Sequence, residues 1–144
     1  YGMHILIRTE LEIELIEGNL NAKDLPFEWN KKYKKLLGIE PCSDAEGCLQ
    51  DVHWSEGAFG YFPSYLIGHL ISAQLTHQLE KDIGLIDQLI DNNDYQTIIN
   101  WLKKNVHCHG RSLNAMELVK KISGNELSSK FFLDYLNLKI DQLN

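Results

Sequence analysis

The sequence predicts an all-α fold, a multi-helix array, and three observations carry that expectation. Apolar residues recur at three- and four-residue spacing through most of the chain. Glycines and capping residues punctuate those stretches at helix-length intervals. No hairpin signal interrupts them anywhere. At 144 residues the chain fits one domain with enough length for a core.

The first helix is expected from Met3 to Glu17. Leu11 to Leu15 alternates like a strand, but Leu and Glu are strong helix formers, and Gly18 is a natural stop. Glu10, Glu14 and Glu17 share one face, while Arg8, Leu11 and Leu15 share another. Asp24 before Leu25-Pro26 opens a second helix through Phe27, Trp29, Tyr33, Leu36 and Leu37 to Gly38. Its lysines, Lys31, Lys32, Lys34 and Lys35, read as a solvated face. Ser43 to Glu46 has capping-box spacing for a short helical turn.

The segment Gly47–Tyr65 has no clear periodicity yet carries His, Gln, Asp, Trp and two Tyr, which marks it as a functional loop rather than a plain turn. It leads into a helix from Ser64 to about Glu80, apolar around most of its circumference and expected to be largely buried, with Gly84 as its break. Shorter helices follow at Leu85–Ile90 and Tyr95–Val106, separated by Asp91–Asp94, with His107–Arg111 a polar connection. Asn114–Glu117 repeats the capping-box spacing for a helix ending at Gly124, and Ser128 or Ser129 caps a last one through Phe131, Phe132, Tyr135, Leu136 and Ile140.

Composition narrows the function. Hydrophobic residues are 44% and charged residues 24%, as in ordinary soluble domains. A net charge of −6 argues against a dedicated nucleic-acid partner, and no run of eighteen apolar residues offers a membrane span. Three cysteines without Cys-x-x-Cys spacing fit a reduced, cytoplasmic setting. The start at Tyr1-Gly2-Met3-His4 reads as a cut end of a longer protein.

The six histidines form no His-Glu-x-x-His, and the adjacent His107-Cys108-His109 is poorly spaced to converge on one ion, so no metal site is expected in the chain itself. No nucleophile elbow or phosphate loop occurs either. Charge stabilisers remain. The Arg8 fork suits a carboxylate, or it pairs within the helix with Glu12. His53, Tyr61 and Tyr65 are donors suited to an oxyanion, or they satisfy buried backbone. Gln50 and Asp51 either orient His53 or cap a turn.

Gly47-Cys48-Leu49-Gln50-Asp51-Val52-His53-Trp54 fits the Gly-x-x-Gln-Asp-x-His-Trp signature of the zinc carboxypeptidases of the carboxypeptidase Taq family, which the chain resembles along essentially its whole length. Phe59 to Tyr65 and the tail helices are similar too. Ile7-Arg8-Thr9-Glu10-Leu11-Glu12 resembles the family's Ile-Arg-x-x-Ala-Asp motif, with Leu11 for Ala and Glu12 for Asp. The resemblance therefore supports Arg8 and assigns nothing to Glu12.

The resemblance implies a cytoplasmic, all-helical, homodimeric peptidase acting on peptides with a free C-terminus. Its zinc, or alternatively cobalt, is held by residues upstream of the part seen here. Residues 1–144 then form a single C-terminal region, with the N-terminal part of the same protein as partner, and are inactive alone. Arg8 is the implied carboxylate anchor. His53 and Tyr65, with Tyr61 as a further candidate, are the implied transition-state donors, and Gln50 and Asp51 support them. The competing reading is a non-catalytic helical binding or dimerisation module.

Overall fold

In the computed structural model, which describes residues 1–143, seven α-helices form and no strand occurs among the described residues. They are α1 (Gly2–Ile16), α2 (Leu25–Leu37), α3 (Phe62–Ile83), α4 (Ile86–Asp91), α5 (Tyr95–Asn105), α6 (Ala115–Ser123) and α7 (Lys130–Asp141). The expected all-α class holds. The chain gathers into two compact units, Tyr1–Ile67 and Gly68 onward, with α3 running through the boundary.

In the first unit α1 packs on α2 around Ile7, Leu11, Trp29, Tyr33 and Cys48, with Leu20, Leu25, Leu37 and Trp54 against that cluster. Trp29 and Tyr33 are one helical turn apart, so both reach the core and their rings stack at 4.8 Å. Phe27 and Leu36 of the expected apolar pattern stay exposed. Lys32 reaches across from α2 to Glu10 at 2.8 Å and Glu14 at 3.2 Å, which engages the acidic face of α1. Gly38 closes α2 in the left-handed region at φ 69°, its N–H returning to the Lys34 carbonyl.

After α2 the chain makes successive turns, with Glu46 N–H on the Ser43 carbonyl and Gly47 N–H on Asp44, both at 3.1 Å. The expected capping exchange between Ser43 and Glu46 is not made; backbone turns take its place. They bring Gly47 so close to α2 that a Cβ there would lie 3.3 Å from the Ser43 carbonyl oxygen and 3.4 Å from Trp29 Nε1. Only glycine fits without displacement.

α3 begins at Phe62, two residues earlier than expected, and Pro63 fits its first turn. Its burial also differs from expectation. Phe62, Gln74 and Leu79 are buried, whereas Ile67 is 36% exposed and the other apolar positions are only partly covered. The apolar circumference of this helix exceeds what neighbouring residues of the chain cover.

In the second unit Asp94 caps α5 by accepting from Thr97 N–H at 3.2 Å, and the expected capping box of Asn114 and Glu117 opens α6. Gln74 is wholly buried. Its amide donates to Ser123 Oγ at 2.8 Å and to the Glu126 carbonyl at 3.1 Å, and its oxygen accepts Ser128 N–H at 3.0 Å. That one side chain ties α3 to the connection between α6 and α7. Ser128, not Ser129, supplies the hydroxyl at the start of α7, accepting from Lys130 N–H at 3.2 Å.

Candidate functional site: a guanidinium, an imidazole and a phenol joined through one carboxylate

Positions 4, 8 and 12 of α1 form one stripe, because four residues is slightly more than a helical turn. His4, Arg8 and Glu12 occupy it. Arg8 is 3% exposed, and so buried a cation requires partners. Its Nε donates to Asp51 Oδ2 at 2.8 Å. Nη1 donates to the Tyr33 hydroxyl and, at 3.3 Å, to the His4 carbonyl. The guanidinium lies 4.6 Å from the centroid of the Trp29 ring, in cation–π range. Nη2 has no bond among the described residues. The alternative pairing of Arg8 with Glu12 is not made; Asp51 takes its place.

The Tyr33 hydroxyl in turn meets His4 Nδ1. Burial, seconded by the Arg8 cation, lowers the His4 pKa, which keeps Nδ1 an acceptor for the phenol proton. Burial also raises the Tyr33 pKa, against the pull of Arg8. Both partners of the guanidinium side thus stay neutral.

Asp51 shares its carboxylate between two clients. Oδ2 holds Arg8, and Oδ1 meets His53 Nδ1 as well as His53 N–H at 3.2 Å. Burial alone would raise the Asp51 pKa. The hydrogen bonds from His53 and Arg8 overcome it and hold the carboxyl below its usual range. An ionised carboxylate only accepts, so Nδ1 of His53 carries a proton and the ring is oriented. Its Nε2 then faces the Tyr65 hydroxyl at 3.0 Å. Partial desolvation, and next the neighbouring Tyr61 phenol, push the Tyr65 pKa up, so its proton is retained.

The sequence-predicted residues divide. Arg8, Asp51, His53 and Tyr65 form one connected network. Tyr61 is half exposed, with its ring 5.6 Å from His53 and 5.2 Å from Tyr65; it flanks the pair by ring contact. Gln50 is exposed, with its backbone N–H in a turn on the Gly47 carbonyl, so of the two expected supports it is Asp51 that bonds to the His53 ring. Sequence reasoning missed His4 and Tyr33 as parts of the site and left Glu12 without a role. The four-residue stripe His4-Arg8-Glu12 was the available signal for two of them. Among the described residues no group of three or more His, Cys, Asp or Glu is arranged to hold a metal ion.

Similarity to the carboxypeptidase Taq (M32) metallopeptidase family extends over residues 1–140, and the chain belongs to that family. It is 41% identical over 143 residues to carboxypeptidase 1 of Bacillus subtilis (strain 168), a match covering 99% of this chain and 28% of that protein. It is 39% identical over 139 residues to thermostable carboxypeptidase 1 of Pyrococcus furiosus, covering 96% of this chain and 28% of the relative. The crystal structure of the M32 carboxypeptidase from Deinococcus radiodurans R1 superposes with a TM-score of 0.93 at 35% identity, over 99% of this chain and 29% of that one. The chain thus spans a little over a quarter of the length of the relatives it matches. The family is one of metallopeptidases, but the described donors do not fit a metal centre.

Proposed function

We propose that this chain is the C-terminal portion of a metal-dependent carboxypeptidase and supplies the wall that receives the substrate's free C-terminal carboxylate and its tetrahedral oxyanion. The single observation that carries the reading is the shared Asp51 carboxylate, which joins Arg8 to His53 and through His53 to Tyr65. Zinc, with cobalt as the alternative, would be held by the N-terminal part of the intact protein. The intact enzyme would be a cytoplasmic homodimer.

Arg8 is the proposed carboxylate anchor. Asp51, Tyr33 and Trp29 fix its plane, and Nη2 is the one nitrogen left to donate to a carboxylate oxygen. His53 and Tyr65 are the proposed donors to the oxyanion. With His53 neutral, Nε2 accepts the phenol proton. With His53 protonated, Nε2–H donates to the phenol oxygen and frees the Tyr65 proton to point outward. In the first state the Tyr65 proton is spent on Nε2; in the second the Tyr65 hydroxyl is a donor already held in place, which is what stabilisation of developing charge requires. Tyr61 is an additional donor at the mouth of the pair.

The test is Arg8→Ala in the intact protein. KM for peptides with a free C-terminus should rise far more than for C-terminally amidated ones. Equal effects on the two substrate sets would remove carboxylate binding from Arg8.

A further inference from the structure

We propose that Glu12 is a positioning residue for the His53–Tyr65 pair, clasping the loop between them at two points; the inference rests on the reading of that pair as oxyanion donors. Glu12 is 4% exposed. Its Oε2 accepts the Trp54 indole N–H at 2.8 Å, and its Oε1 accepts the Gly60 N–H at 2.7 Å. One bond seizes the residue after His53. The other seizes the residue before Tyr61, just ahead of the helix that carries Tyr65.

Between those points, among the described residues, the loop bonds only to itself, with Ala58 N–H on the His53 carbonyl at 2.8 Å and Gly57 N–H on the Trp54 carbonyl at 3.1 Å. Such turns shape the loop without attaching it to α1. Asp51 attaches the entry, and Glu12 attaches the rest. No ion pair engages Glu12 among the described residues. A carboxylate buried without a cation loses hydration that only good hydrogen bonds offset, and both oxygens are used for that purpose here.

The placement passes onward by packing. The Trp54 ring meets Phe62 edge-on at 5.7 Å, and Phe62 lies 4.7 Å from the His53 ring. Loosening Glu12 therefore loosens the wall against which the imidazole rests. Arg8 keeps its hydrogen bonds to Asp51 and Tyr33, and its guanidinium meets Phe62 only at 5.8 Å from the ring centroid.

The experiment compares Glu12→Gln and Glu12→Asp with His53→Ala in the full-length, metal-loaded protein. For Glu12→Gln, kcat should fall on the order of tenfold to a hundredfold, the scale of a misplaced catalytic group, with KM for free-C-terminal peptides within about twofold. Glu12→Asp keeps two acceptor oxygens and should lie between Glu12→Gln and the parent. The Trp54 indole N–H resonance, identified by its loss in Trp54→Phe, should shift in both. An unchanged kcat in Glu12→Gln, beside a lowered one in His53→Ala, would overturn the clasp alone. An unchanged kcat in His53→Ala would overturn the oxyanion reading and the clasp with it. Should Glu12→Gln fail to fold, Glu12→Asp decides: lowered kcat with KM kept supports the clasp, and parental kcat refutes it.

Discussion

Arg8 is the residue on which most of the site's polar groups converge, and its burial explains why it needs so many of them. An isolated interior guanidinium would cost several kcal/mol of lost hydration; Asp51, Tyr33, the His4 carbonyl and the Trp29 face together offset that. At the other end of the network the Tyr65 phenol stays protonated and aligned by His53. Tyr65→Phe in the intact enzyme should therefore reduce kcat about a hundred- to thousandfold, the usual loss for one oxyanion donor, with KM little altered. Steady-state kinetics on a free-C-terminal peptide measure this, and an unchanged kcat would take Tyr65 out of the transition state. The sequence offered Arg8, Asp51, His53, Tyr61 and Tyr65 as candidates because their chemical types and motif context are local. It could not name Tyr33 or give Glu12 a role, because those contacts join residues 25 to 48 positions apart.

At the scale of elements, helix ends were the most legible feature. Asn114 with Glu117, Gly38 and Gly124 all act within a few residues, so their signals are written in adjacent letters. Burial of α3 was less legible. An apolar pattern states what a helix would bury, not how much of it neighbouring residues cover. Gln74 shows the same limit, since nothing around it announces a wholly buried amide whose partners lie about fifty residues on. Gln74→Leu keeps roughly the volume but strands Ser128 N–H and the Glu126 carbonyl. Glu126 is exposed and Ser128 half-buried, so water takes over part of both bonds, and a loss of about 1–2 kcal/mol is expected in denaturant unfolding of the full-length protein. A loss under about 1 kcal/mol would mean that these groups find other partners.

For the whole molecule, the Arg8–Asp51–His53–Tyr65 network stands without a metal-binding cluster among the described residues. No helix of the described residues is long and apolar enough to cross a membrane. Helix α7 leaves Leu133, Tyr135, Leu138 and Ile140 each about half exposed. We expect the 144-residue chain alone to release no C-terminal amino acids from peptides, with or without added zinc. Zinc-stimulated release by this chain would overturn that expectation. As proposed oxyanion donors, His53 and Tyr65 can only add to a reaction whose attacking group is supplied; they do not generate one.

The tight seat of Gly47 has a consequence beyond its own turn. A single added carbon there would press on the Ser43 carbonyl and the Trp29 indole. The indole cannot step aside freely, since Tyr33 is layered against it and the Arg8 cation rests above it. A methyl group at position 47 would thus be registered at the arginine without touching it, and the height of the guanidinium above its aromatic floor is set in part by a hydrogen where other residues carry a side chain.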